Sequence, residues 1–184
     1  MTPIGDDDLG ARVERWAADL RAGERSRARR VARSLRDQAA GDASLASMLA
    51  DLAEAGAEVS VSTRYGHQLR GRVTALGSDH IRLATATAEV IVSTAAVVTV
   101  EPATPWGRHP SDRPPPAGGP SLAAALEELA VDRARVTITL AGGQTRIGEI
   151  VRVGADYLEL EVRPGAVAYL RLPAVEEVAA RVSG

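Results

Sequence analysis

The sequence contains no cysteine, which excludes a disulfide framework and a thiolate metal site. Phenylalanine is absent too, and aromatic residues make up 3% of the chain, too few to line a stacked cofactor pocket. Lysine and asparagine are missing, so all 22 basic residues are arginine. Without lysine there is no lysine-bearing phosphate loop, and no GxGxxG stretch replaces it. Depletion of AT-rich codons in a GC-rich genome explains these gaps; selection for guanidinium chemistry is the alternative. No stretch approaches the roughly 18 apolar residues of a membrane span. The start, Met1 to Asp8, is acidic and lacks the apolar run of a signal peptide. The expectation is a soluble cytoplasmic protein with no membrane partner and no cofactor. The net charge of −2 gives no global pull toward nucleic acid.

What the chain does have is a middle written twice. Ser44-Leu45-Ala46 recurs as Ser121-Leu122-Ala123, and Leu49 and Leu52 recur as Leu126 and Leu129. Val59-x-Val61 recurs as Val136-x-Ile138. Gly66, Gly71, Gly77, Asp79 and Leu83 recur as Gly143, Gly148, Gly154, Asp156 and Leu160. One constant offset aligns them all, which implies two copies of one small unit. Each has roughly 60 residues, near the lower limit for a self-sufficient core. One extra residue falls around Arg163-Pro164-Gly165, in a loop, where insertions are tolerated.

Four segments follow. Residues 1–42 read as a charged helical arm. It opens on Asp6-Asp7-Asp8, carries Val13, Trp16 and Leu20 at helical spacing, and runs into an arginine-rich stretch from Arg21 to Arg36. Residues 43–102 hold the first copy, 103–120 a Pro/Gly-rich linker with Pro114-Pro115-Pro116 at its centre, and 121–184 the second copy. In each copy a short amphipathic helix precedes five short strands. Gly71 interrupts the second strand, where an isolated glycine marks a bulge or sharp bend.

The string Val59-x-Val61-x-Thr63-x-x-Gly66-x-x-Leu69-x-Gly71-x-Val73 resembles the first motif of Sm-like proteins, the family that includes the bacterial RNA chaperone Hfq. Leu76-Gly77-x-Asp79-x-Ile81-x-Leu83 and its counterpart Val153-Gly154-Ala155-Asp156 are also similar to actinobacterial proteins that carry such a unit behind a charged helix. The resemblance implies a mainly β fold: two tandem, closed, five-stranded Sm/SH3-like small barrels, each preceded by a short helix, behind a charged N-terminal helix. It also implies RNA binding or a regulatory role. The base-binding residues of the family are not matched. Gly77 stands at the aspartate position, and neither Val90-Ile91-Val92-Ser93 nor Tyr169-Leu170-Arg171-Leu172 contains the Arg-Gly pair.

A non-enzymatic binding protein is expected, with two routes to a partner. Arg25, Arg27, Arg29, Arg30, Arg33 and Arg36 lie along one helix-forming run and could pair with successive phosphates of RNA or DNA. The alternative is a solvated face, or one docked on Glu127, Glu128, Glu159, Glu161, Glu176 and Glu177. The second route is protein interaction or self-association through exposed strand edges, with Val90 and Val92 on the fourth strand and Trp106 in the linker as anchors. Core burial of the two valines, and packing of the Trp106 ring on a barrel flank, are the competing readings. His67, His80 and His109 have no ligand-spaced neighbours, so no metal site is expected. Asp79 and Asp156 each follow a turn glycine and read as caps of their own backbone rather than as catalysts. Polar tips differ between the copies: Arg64 against Ala141, His67 against Gln144, Arg82 against Glu159. Whatever is specific about this protein lies in those differences.

Overall fold

In the computed structural model, which describes residues 44–105 and 119–181, each copy begins with a helix and continues as five antiparallel strands. The helices are α1 (Leu45–Glu54) and α2 (Leu122–Val131). The first copy supplies β1 (Glu58–Thr63), β2 (Gln68–Leu76), β3 (His80–Ala84), β4 (Ala88–Ser93) and β5 (Val97–Pro102). The second supplies β6 (Arg135–Leu140), β7 (Thr145–Val153), β8 (Tyr157–Arg163), β9 (Ala166–Arg171) and β10 (Val175–Arg181). The arm, and with it the run from Arg25 to Arg36, lies outside the described residues, as does Trp106.

Both helices start and stop for local reasons. The Ser44 hydroxyl accepts from the Ser47 amide at 3.1 Å, and the Ser121 hydroxyl from the Ala124 amide at 3.2 Å, each satisfying one orphan donor of the first turn. Gly56, at φ +55°, takes the left-handed conformation that ends α1. Leu49 and Leu52 of α1 and Leu126 of α2 are fully buried, with α1 packed on β2 and α2 on β7. Replacing Ser121 by alanine should lower stability by about 1 kcal/mol, read calorimetrically as a melting-temperature drop of about 2–4 °C. An unchanged melting temperature would show that the cap contributes nothing.

The expectation of two closed five-stranded barrels is overturned. The strands form one open ten-stranded antiparallel sheet in the order β5-β1-β2-β3-β4-β10-β6-β7-β8-β9. Closing each copy would require β4 to meet β5 and β9 to meet β10. Instead β4 pairs with β10, with Ile91 opposite Val178 and Val92 opposite Glu177, so the sheet runs on from one copy into the other. Both copies belong to the same compact unit, Ser44–Gly184. The mainly β character stands.

The bend in each second strand is also explained differently from the expectation. The register shift of β2 against β3 falls between Val73 and Ala75, and that of β7 against β8 between Ile150 and Arg152, rather than at Gly71 and Gly148. The glycines serve a close approach. A Cβ on Gly71 would lie 2.6 Å from the Ala84 carbonyl oxygen, and one on Gly148 would lie 2.4 Å from that of Glu161.

Two cores result, and they share the central strands. Val90 and Val92 point into the first core with Leu49, Leu52 and Ile81, whereas Ile91 between them points into the second with Leu126, Ile138 and Leu160. On β10, Val178 belongs to the second core and Ala179 packs against the first. Alternate residues of a strand face opposite sides, so β4 and β10 are covered on both faces. A continuous apolar run such as Val90-Ile91-Val92 suits a strand in that position.

Candidate functional site: the seam between copies and the free sheet edges

The seam where β4 meets β10 carries side-chain contacts beyond the ladder, and most pair a group of the first copy with one of the second. Arg64, in the turn after β1, reaches across so that its Nε lies 3.3 Å from Glu176 Oε1, while Glu176 is only 5% exposed. The same guanidinium also donates to the Ala95 carbonyl. His67 Nδ1 lies 3.3 Å from Glu177 Oε2. Arg82, on β3, contacts Glu89 at 3.3 Å and also Glu128 on α2. Burial lowers the Arg82 pKa, but the hydrogen bond and charge of Glu128, with Glu89 adding to them, outweigh it and hold the guanidinium above its ordinary value.

Asp79 does not cap its own backbone. Its Oδ1 accepts from the Leu122 amide at 2.6 Å, at the first turn of α2, and lies 3.3 Å from His80 Nδ1. An acceptor from the first copy therefore helps to fix the start of the second copy's helix. Beside it the Ser78 amide donates to the Pro120 carbonyl at 3.0 Å. The His80 ring is fully buried, and among the described residues its Nε2 has no hydrogen-bond partner. Gly77 leaves space for that ring, since a Cβ there would lie 2.2 Å from His80 Cε1. Asp156, the counterpart of Asp79, makes no such side-chain contact among the described residues.

Among the described residues the sheet ends at β9 on one side and at β5 on the other. The Leu172 amide donates to the Asp156 carbonyl at 2.9 Å, toward β8. By the alternation of an antiparallel ladder, Val167, Tyr169 and Arg171 turn their N–H and C=O groups outward from the free edge. At the other end the Ala103 amide donates to Glu58, so Val100 and Pro102 face outward, and Pro102 brings no N–H. Apolar side chains mark both edges. Tyr169 is 70% exposed and Val98 is 63% exposed. Tyr169 packs against Tyr157, with ring centroids 6.0 Å apart, and Arg152 donates to the Tyr157 hydroxyl at 3.0 Å and to Glu159 at 2.6 Å. A polar cleft of about 410 Å³ lies beside β5, lined by Glu58, Ser60, Gln68, Arg70 and Glu101 among others.

Of the residues singled out from sequence, Val90 and Val92 lie at the seam, buried, with their strand paired on both sides. Val98, Tyr169, Glu176 and Glu177 escaped notice as edge and seam residues. A signal was present in the repeat, where Arg64, His67 and Arg82 differ in their tips from Ala141, Gln144 and Glu159. Among the described residues no group of three histidines and carboxylates is placed to hold a metal ion, and no helix is long and apolar enough to cross a membrane. No family model matches the chain, and no curated protein matches it either.

Proposed function

We propose that this chain is an assembly protein whose copies join head to tail through their free edge strands, β9 of one against β5 of the next. The observation that carries the reading is the seam itself. The repeat makes β9 the counterpart of β4, and β5 the counterpart of β10. The two strand types that join inside the chain are therefore the two left open at its ends. A junction that does not close on itself propagates into a ring or a filament.

Burial supports the same reading. Ile91 on β4 is 2% exposed because it enters the other copy's core; its counterpart on β9 is Tyr169. Val98 on β5 is the counterpart of Glu176. The most open apolar side chains of the two edges thus stand where the seam buries theirs. By the register of the seam, Tyr169 would face Val100 of the next chain, and Ala168 would face Glu101. Pro102 removes one rung from that ladder and limits its strength. Asp156 would stand where Asp79 stands, aimed at the first turn of the next chain's α1. Contact with RNA or DNA through Arg25, Arg27, Arg29, Arg30, Arg33 and Arg36 rests on the sequence alone, and nothing in the described residues adds to it.

Light scattering of the full chain over a range of concentrations tests the reading. The expected result is association that grows with concentration and is lost in Tyr169→Arg and in Val98→Arg, with melting temperatures within a few degrees of the parent. Both positions are exposed, so the fold should tolerate either change. A chain that remains monomeric at every concentration would sink the proposal.

A further inference from the structure

The seam within the chain and the junction proposed between chains use the same strand types but different side chains, and this difference determines which strands meet. At the seam the first copy offers Arg64, His67 and Arg82, and the second offers Glu176, Glu177 and Glu128. At the outer junction the corresponding positions hold Ala141, Gln144 and Glu159 on the β9 side, and Val98, Thr99 and Asp51 on the β5 side. No cation replaces Arg64 or Arg82 there. A small apolar pair and a neutral polar pair take the place of the Arg64–Glu176 and His67–Glu177 contacts, and two acids, of which Glu159 is already held by Arg152 at 2.6 Å, take the place of the third.

We infer that the Arg64–Glu176, His67–Glu177 and Arg82–Glu128 contacts are partner-selecting keys: they assign β10 to β4 of the same chain, and their absence from β9 and β5 makes the between-chain junction the weaker, reversible one. This rests on the head-to-tail reading for its second half only. The physical argument is the cost of the wrong pairing. If β9 of one chain met β10 of another, Glu176 would lose its guanidinium and face Ala141 while still buried, and Glu128 would approach Glu159. The uncompensated buried carboxylate disfavours that arrangement, and Glu128 would find Arg152 already engaged by Glu159. If β4 met the β5 of another chain, Arg64 would face Val98 and lose its carboxylate. Arg82 would still meet an acid there, Asp51, so against that pairing the selection rests on Arg64 and His67.

The test has two arms, both in the full chain. In the first, Arg64→Glu places two acids together at the seam. It should speed hydrogen exchange of the Val178 and Ala180 amides, which face β4, at least tenfold, and Glu176→Arg added to it should restore slow exchange. Exchange that does not respond to Arg64→Glu, or is not rescued by the reversal, overturns the inference whether or not the protein assembles. In the second arm, Val98→Glu alone should weaken self-association, and Val98→Glu with Ala141→Arg should tighten it beyond the parent by roughly tenfold, as expected for a hydrogen bond between charged groups. That gain should shrink as salt is raised. A double variant no tighter than Val98→Glu overturns the assignment of the outer junction while leaving head-to-tail assembly in place. A parent that never associates, combined with rescue in the first arm, instead removes the assembly reading and keeps the keys.

Discussion

Ile91→Ala is expected to destabilise the protein by about 3 kcal/mol, within the range for truncating a buried isoleucine to alanine, whereas Tyr169→Ala at the counterpart position should change the stability of the isolated chain by less than about 0.5 kcal/mol. The two residues occupy the same place in the repeat. They differ because Ile91 is inserted into the second copy's core, beside residues such as Ile138 and Leu160, while Tyr169 meets solvent at the end of the sheet. Urea titration reads both. The distribution of the loss is equally informative. Ile91 belongs by sequence to the first copy, yet its removal should loosen amides around the second core first. If the loss appears only in the first copy, the sharing of strands between cores is wrong. If both variants cost the same, the edge position of Tyr169 is wrong.

Gly148→Ala should cost about as much, roughly 3 kcal/mol at the upper end of what a misfitting small-to-large change costs. In a unit of this size that lowers the melting temperature by about 10 °C. The new methyl would lie 2.4 Å from the Glu161 carbonyl oxygen and 2.9 Å from Leu160 Cγ, and the nearer of these is backbone, which cannot swing aside. Gly142→Ala separates crowding from backbone strain. Gly142 has φ +94° but open space around its Cβ direction, so it should lose only about 1–2 kcal/mol, the cost of a left-handed conformation for an L-residue. Thermal melts of the two variants should therefore be well separated. Equal melts would mean that the strands part easily at the β7 bend.

The sequence made some of this plain and hid the rest, for physical reasons. The helices were legible because Leu49 and Leu52, like Leu126 and Leu129 in the second copy, lie at helical spacing, whereas their serine caps were not read from the sequence. The five strands of each copy were legible because every one ends at a glycine, a turn or an apolar-to-polar switch. Gly71 and Gly148 were recognisable as places of constraint, though the constraint is a neighbouring carbonyl rather than a bulge. What was not legible was whether β4 would return to β5 or continue to β10. Both pairings use the same antiparallel ladder and the same apolar strand, and main-chain hydrogen bonds carry no sequence. The deciding groups are Arg64 with Glu176, and Asp79 with the Leu122 amide, pairs widely separated along the chain. Such contacts have no local periodicity. The mismatch between copies, Arg64 against Ala141 and Arg82 against Glu159, pointed to the first of them, whereas Asp79 recurs as Asp156 and gave no such sign.

The position of β10 also bears on how the protein comes to be folded. It is the last of the ten strands along the chain, yet it lies in the middle of the sheet, between β4 and β6. During synthesis from the N-terminus, β1 to β5 can pair as soon as they emerge, but β4 must wait with a bare edge until β10 arrives, and β6 waits beside it. Pairings so distant along the chain form slowly, because the connecting loop must be ordered before the contact stabilises anything. Through that interval the open β4 edge can accept the β5 of a neighbouring chain. Arg64 beside it, which finds no carboxylate at Val98, and His67, which would meet Thr99 instead of Glu177, would make such an encounter short-lived and leave the edge available for its own β10.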